Sequence, residues 1–426
     1  MTSTPAEVAG PIAPAQRVDA LDALRGLAIL GILVMNVQAF SMPLAAYLDP
    51  TAYGDLTGVN FLVWLVSQVL FAGKFIAIFS MLFGAGIVLM AQRQAARGRS
   101  PTGVHYRRMV WLLAFGLLHG FLIWYGDILA IYALCGLVVY LLWRVRPMVQ
   151  LLVGAALYLV PVGWVLMLAL AVAMQAADAA QVLPTGDIDA ELAAYRGGWL
   201  EQMDHRLPTV VEGLTTDFLM YFGWSTAGLM LIGMALYKWR VLTGQASNWT
   251  YRQLLLIAAC LGLPLIGAGL GVAIPRSFEG ASLWLNMALN HLAAPLVALG
   301  WVSVLMLALP RVGGMNPARA YLAAPRTHAP TATAPPRWAR PLAAVGRMAL
   351  TNYLLQSLVC TFIFYGHGLG HFGQIERLGQ AGIVLAVWAA QLVASPLWLS
   401  AFNYGPVEWL WRALTYGQLP TMRRHA

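Results

Sequence analysis

Apolar residues come along this chain in blocks of about twenty, not in alternation, and a block of that length wound as an α-helix crosses a bilayer. Ten blocks can be drawn, near 22–41, 61–91, 108–125, 127–144, 149–176, 217–238, 252–273, 283–309, 343–365 and 378–399. The predicted fold is therefore all-α, a polytopic transmembrane helical bundle of about ten spans. A membrane β-barrel would need short segments of alternating polarity, which this pattern lacks. The second block is unusually long and carries Lys74 near its middle, so it reads as one tilted helix or a kinked one.

Composition supports that reading: 60% of the 426 residues are hydrophobic and 10% charged, against about 25% charged in a soluble globular protein. Mean hydropathy is +0.69. The net charge of +9 could suggest nucleic acid, but its placement points to a membrane. With ten spans and a cytoplasmic N-terminus, 20 of the 26 lysines and arginines fall in inner connections and 4 in outer ones. The remaining two, Arg25 and Lys74, lie within spans. Such a bias orients a membrane protein with both termini cytoplasmic. The expected location is a bacterial inner membrane, with lipids as the surrounding partner and no nucleic acid. Cys135, Cys260 and Cys360 each sit alone in an apolar run, which predicts buried packing, not a disulfide framework or a metal site.

Residues 1–16 read as a disordered tail with no cleavable signal. Residues 17–310 read as a bundle of about eight spans with an outer loop at 177–216, whose acidic residues suit a solvated surface. Residues 311–341, rich in Pro, Ala, Thr and Arg, read as a cytoplasmic linker, and 342–426 as a two-span segment closed by an interfacial helix around Trp409 and Trp411.

Polar residues inside the spans are the candidate chemistry, because ionisable groups at membrane depth are costly and tend to face the bundle interior. Arg25 and Asn36 are eleven residues apart, which returns the side chain to within about 20° of one face, roughly 16 Å along the helix. Asp22 lies one turn before Arg25. Arg25 either faces the interior or snorkels to headgroups while pairing with Asp22. Lys74 is too deep to snorkel. His119 lies in the third span near the depth of Asn36, where an imidazole can take and give a proton or simply pack. Asp127, in the short turn that follows, suits a helix cap. Asn352, Gln356 and Cys360 form a stripe at i, i+4 and i+8 in the ninth span, which interhelical hydrogen bonds alone would explain. No phosphate loop, zinc spacing or Ser-His-Asp elbow is legible, and no metal is implied.

Three stretches together resemble one family. They are Leu21-Asp22-Ala23-Leu24-Arg25-Gly26 running to Asn36; Leu118-His119-Gly120 running to Trp124-Tyr125-Gly126-Asp127-Ile128-Leu129; and Gly346-Arg347-Met348-Ala349-Leu350-Thr351-Asn352-Tyr353 with Gly405-Pro406-Val407-Glu408-Trp409-Leu410-Trp411-Arg412. In combination they look like domain of unknown function 418, the YeiB-like bacterial inner-membrane proteins. The opening block is also similar to two groups of transmembrane acyltransferases, the acyltransferase-3 group and the group resembling heparan-α-glucosaminide acetyltransferase. Both have an Arg-Gly early in the first span. The former places a histidine where this chain has Asn36; the latter uses one just after the first span, and residues 42–60 here contain none. His119 is the residue that would supply the missing base.

These resemblances imply an enzyme that takes an acyl group from a cytoplasmic thioester, an acyl-coenzyme A, and passes it to a small-molecule or glycan acceptor at the outer face. His119 would be the general base, Asn36 an oxyanion donor and Lys74 a charge stabiliser. Arg25 and Asp22, with Asn352 and Gln356, would sit on the donor side. The alternatives are a transporter or flippase lined by the same residues, or a non-catalytic membrane protein. The sequence sets no oligomeric state. The acyltransferase reading requires that Arg25, Lys74 and His119 face one chamber.

Overall fold

The computed structural model describes residues 19–174, 187–309 and 336–424. The predicted tail 1–16 and most of the predicted linker lie outside them. The described chain is helical, with a single isolated bridge between Phe402 and Arg423. In order, the helices are α1 (Asp19–Ser41), α2 (Leu44–Leu48), α3 (Gly58–Leu70), α4 (Lys74–Ala96), α5 (Thr102–Leu122), α6 (Leu129–Val139), α7 (Pro147–Met174), α8 (Ile188–Arg196), α9 (Glu201–Leu214), α10 (Gly223–Lys238), α11 (Asn248–Ile257), α12 (Leu263–Ala273), α13 (Ala281–Ala308), α14 (Ala339–Arg347), α15 (Ala349–Phe364), α16 (Arg377–Ala401) and α17 (Pro406–Tyr416). Seven helical stretches among the described residues are long and apolar enough to cross a membrane, and Leu129–Leu142 and Ala349–Phe364 are shorter apolar helices.

α1 is apolar around most of its circumference, and such a helix belongs in the centre. Its apolar window is 72% buried, against 28% for α7 and 22% for α16, which lie at the periphery. Small residues let neighbours approach it. A Cβ on Gly26 would stand 2.0 Å from the carbonyl oxygen of Leu342, and one on Gly346 would stand 1.8 Å from that of Asp22. So α1 and α14 touch backbone to backbone through paired glycines. The Ser80-to-Gly84 step of α4 does the same against α10, where a Cβ on Gly84 would meet the Met230 carbonyl oxygen at 2.0 Å.

Four expectations are sharpened or corrected. The long second block is two helices, broken at residues 71–73, where Gly73 takes φ +78°; that left-handed turn suits glycine. The segment after 187 is helical and packs on the bundle as a cap: Asp187, Asp189, Glu201, Asp204 and Glu212 are exposed as expected, but Tyr195, Gln202 and Arg206 on α8 and α9 are fully buried, and Arg206 Nη1 donates to the Leu122 carbonyl at 3.0 Å. Helix resumes at Ala339, inside the stretch assigned to the linker, and docks on α1 instead of standing apart. Of the cysteines, Cys135 and Cys360 are buried but Cys260 is exposed, on a π-helical turn between α11 and α12.

Candidate functional site

The basic ends of α1, α4, α5, α14, α15 and α17 surround a cavity of about 320 Å³. Its walls carry six arginines: Arg25, Arg93, Arg97, Arg108, Arg347 and Arg412. Deeper in, the lining turns apolar, with Phe79, Leu82, Phe83, Met109, Leu112 and Leu129. On α4 alone the lining runs from Phe79 to Arg97, eighteen residues or about 27 Å of helix. One end of the cavity is thus suited to anionic oxygens and the other to hydrocarbon. A recess of about 150 Å³ beside it shares Arg25, Arg93, Arg347 and Arg412 and adds Asp22.

The guanidinium groups are held apart by local packing. Arg25 Nη1 bonds Asp22 Oδ1 at 2.8 Å, one turn away on α1. Arg108 lies over the Trp411 ring at 4.4 Å, while the Trp411 indole N–H donates to the Arg108 carbonyl at 3.0 Å. Arg412 lies over Tyr404 at 4.7 Å. Glu408 receives the Leu350 and Thr351 backbone N–H groups at 2.7 and 3.0 Å, so it caps α15, where a helix N-terminus favours a carboxylate. Burial pushes the Glu408 carboxyl above its usual pKa, and hydrogen bonds from Thr351 pull it back. The Gly405-to-Arg412 motif, read from sequence as an interfacial anchor, therefore builds one wall of the cavity.

Tyr353 and Ile128 close the deep end. Directly behind them is a buried polar group that the sequence did not reveal. His119 Nδ1 lies 2.8 Å from Asp127 Oδ1, and His119 Nε2 lies 2.9 Å from Ser357 Oγ. Relative exposures are 1%, 8% and 1% for His119, Asp127 and Ser357, so all three are shielded from bulk water. The Tyr353 and His119 ring centroids are 5.2 Å apart. Local structure produces this arrangement. The Ile123 and Trp124 N–H groups both close on the His119 carbonyl at 2.9 Å, ending α5 and turning the chain back. Asp127 then gives one oxygen to His119 and the other to the Ala130 N–H at 2.7 Å, capping α6 as expected. A Cβ on Gly116 would lie 2.2 Å from Ala130 N, so only glycine lets α6 begin this close to the imidazole. In the neutral tautomer whose Nδ1–H donates to Asp127, Nε2 can accept the Ser357 hydroxyl proton.

One family model and two near-full-length similarities identify the chain's relatives. A family model described as "Protein of unknown function (DUF418)" matches residues 314–418. The Escherichia coli (strain K12) "Uncharacterized protein YeiB" is 36% identical over 409 residues, covering 93% of this chain and 95% of that protein. The Bacillus subtilis (strain 168) "Uncharacterized protein YxaH" is 32% identical over 428 residues, covering 94% of each. The chain belongs to the YeiB-like DUF418 family. The segment matched by the DUF418 model takes in α14 to α17, which contribute Arg347, Tyr353, Ser357, Glu408 and Arg412 to the site.

Placed on this geometry, the sequence candidates separate. Arg25 lines the cavity and His119 lies just past its deep end. Lys74 does neither: it is fully buried at the α3–α4 break, with Nζ donating to the Gln68 carbonyl at 2.7 Å and to Asn290 Oδ1 at 2.6 Å. Of the three residues expected in one chamber, Arg25 lines it, His119 borders it and Lys74 lies apart. Asn36 is half-buried on α1, four residues before Phe40, whose ring stacks on Trp124 at 3.9 Å. Asn352 and Gln356 are committed to the α15–α16 seam, bonding Ser395 Oγ and Gln391 Oε1 at 3.1 and 2.9 Å. Asp127 had been read as a cap alone, and Ser357 was missed. The signal for Ser357 was present one residue after Gln356, on the Tyr353–Ser357 face that lies about 100° around the helix from the stripe that was noticed.

Proposed function

We propose that this protein is a membrane-embedded acyltransferase, taking its acyl group from a coenzyme A thioester at the basic end of the bundle and passing it to a hydroxyl or amine acceptor at the opposite face. The observation that carries this reading is a cavity with six arginines at its mouth and an apolar interior that ends at Tyr353 and Ile128, behind which the His119–Asp127 pair is buried with its imidazole 5.2 Å from the Tyr353 ring. Guanidinium groups bind phosphate oxygens in bidentate fashion, and a basic cleft concentrates anions. From Arg108 to His119 is eleven residues of α5, about 16 Å. That separation calls for a ligand whose anionic and reacting ends are joined by a long flexible arm, as in an acyl-coenzyme A.

In this reading Arg25, Arg93, Arg108, Arg347 and Arg412 hold the phosphates, His119 Nε2 is the proton acceptor, and Asp127 orients it. Asn36 is assigned the oxyanion; among the described residues its amide has no hydrogen-bond partner. Lys74, Asn352 and Gln356 take no part, because their hydrogen bonds are made elsewhere. The test is thioester consumption by the purified protein in lipid nanodiscs. Consumption that falls at least a hundredfold in His119→Ala, with donor binding kept, supports the reading. Equal consumption by the two proteins would remove His119 from the mechanism. Movement of an unmodified solute across the membrane, with no thioester consumed, would favour transport instead.

A further inference from the structure

We propose that Ser357 is the nucleophile and carries the acyl group as an ester between donor and acceptor. This deepens the acyltransferase reading and rests on it for the identity of the donor. The first argument is the fate of the hydroxyl protons. Buried serines in helices usually give their proton to the carbonyl four residues back, and this protein shows that behaviour elsewhere. Ser80 bonds Ile76 O at 2.8 Å and Ser303 bonds Leu299 O at 2.7 Å. Ser357 departs from it: its distance to Tyr353 O is 3.4 Å, while Oγ is 2.9 Å from His119 Nε2. The imidazole nitrogen is thus the nearer of its two partners, and Asp127 holds the far nitrogen at 2.8 Å. That is the geometry of an activated nucleophile: a hydroxyl, a base within hydrogen-bond reach, and a third group orienting the base.

The second argument is position. Tyr353 lines the deep end of the cavity, and Ser357 is one helical turn farther along the same face of α15, about 6 Å away. A thioester carbonyl entering past the Tyr353 ring meets Ser357 Oγ before any other hydroxyl aimed at a base. The third is topological. On the acyltransferase reading donor and acceptor come from opposite faces, and a fixed hydroxyl between them would let each bind and leave in turn.

The steps balance. Ser357 Oγ attacks the thioester carbonyl as His119 Nε2 takes its proton. The carbon–sulfur bond breaks and the thiolate leaves, receiving that proton from His119. The acceptor hydroxyl then attacks the Ser357 ester, giving its proton to His119. The ester carbon–oxygen bond breaks, and His119 returns the proton to Ser357 Oγ. Water need not take part.

Two probes test this in the full-length protein. The first is an alkyl fluorophosphonate, which forms a phosphonate ester on an activated serine with loss of fluoride whatever the natural donor. The second is radiolabelled acetyl-coenzyme A without acceptor. The expected result is both labels on Ser357 by peptide mapping, lost in Ser357→Ala and in Asp127→Asn. Ser357→Ala should still bind a non-transferable thioether analogue of the donor as the wild type does, which shows that the variant is folded. If Ser357→Ala consumes acetyl-coenzyme A at the wild-type rate and no acetyl group is found on the protein, transfer is direct; the nucleophile assignment falls and the acyltransferase reading stands. Phosphonate on Ser357 with acetyl-coenzyme A untouched supports the nucleophile and overturns the donor. Failure of both probes to modify Ser357 overturns the assignment.

Discussion

Lys74 and the arginines around Arg25 are all cations set among apolar helices, yet the protein treats them in opposite ways. Lys74 is sealed. Its ammonium is fully buried and met by a carbonyl from the broken end of α3 and by the Asn290 amide. Two of its three N–H donors are used on the protein, and burial shuts the group off from any cavity. The arginines stand on the walls of an open cavity, separated by aromatic rings and short acidic side chains that fix their directions without exhausting their donors. A guanidinium offers five N–H groups, so a single bond such as Arg25 to Asp22 still leaves several. The difference teaches that depth in the membrane does not by itself mark a binding residue. A buried cation suggests a site when it borders a space and retains donors, and a structural role when its hydrogen bonds close on the protein.

The largest effect that would break this comparison comes at the α1–α14 contact. Gly346→Leu would place carbon where the Asp22 carbonyl already stands. α14 should lose its seat and take Arg347 with it. Donor binding should disappear and the folded yield should drop sharply, while Gly267→Ala, with nothing within 4 Å, leaves both unchanged. Size-exclusion profile and ligand titration check this. Next is Arg108→Ala combined with Arg347→Ala, expected to weaken coenzyme A thioester binding at least tenfold, about 1.4 kcal/mol, with a shallower salt dependence and little change in stability. Asn290→Leu probes the other region. It removes an acceptor from a buried ammonium and should cost about 1.5–3 kcal/mol of stability, while the thioester affinity of the folded fraction stays the same. A thermal-shift series with and without ligand separates the two.

The smallest effect concerns the cap at the opposite end. Glu191 on α8 accepts the Leu44 N–H through both oxygens, at 3.1 and 3.2 Å, and burial pushes its pKa up to about 7. A carboxyl whose folded pKa exceeds its unfolded value favours the folded state most when protonated. Cap docking should therefore be strongest below about pH 4.5 and weaken as pH rises from there to about 7. Glu191→Gln should flatten that profile, read by hydrogen exchange in α8, without changing donor affinity.

The all-α membrane class and the depth of Arg25 and His119 within apolar helices were legible in sequence, while the choice for Arg25 between the interior and the headgroups was not. The legible features depend on hydropathy period and on the expense of charge in hydrocarbon, both local properties. The cavity was not legible. Arg25 stood out as a cation within a span, but Arg93, Arg97, Arg108, Arg347 and Arg412 each looked in sequence like one more basic residue at the end of a span, and nothing local shows that they meet. Ser357 was hidden by a neighbouring stripe: Asn352 and Gln356 announce themselves as polar, but they face α16, while Tyr353 and Ser357 face His119. The α3–α4 break at Gly73 was suggested by the block's length, yet the partner that makes Lys74 a closed unit, Asn290, lies 216 residues away.

The most direct measurement is a calorimetric titration of a non-transferable acyl-coenzyme A thioether into the wild-type protein and the Arg108→Ala, Arg347→Ala double variant in nanodiscs, at low and high salt. The account predicts saturable one-to-one binding that weakens with salt and falls at least tenfold in the variant. Binding that is absent, or the same in both proteins at both salts, would contradict it.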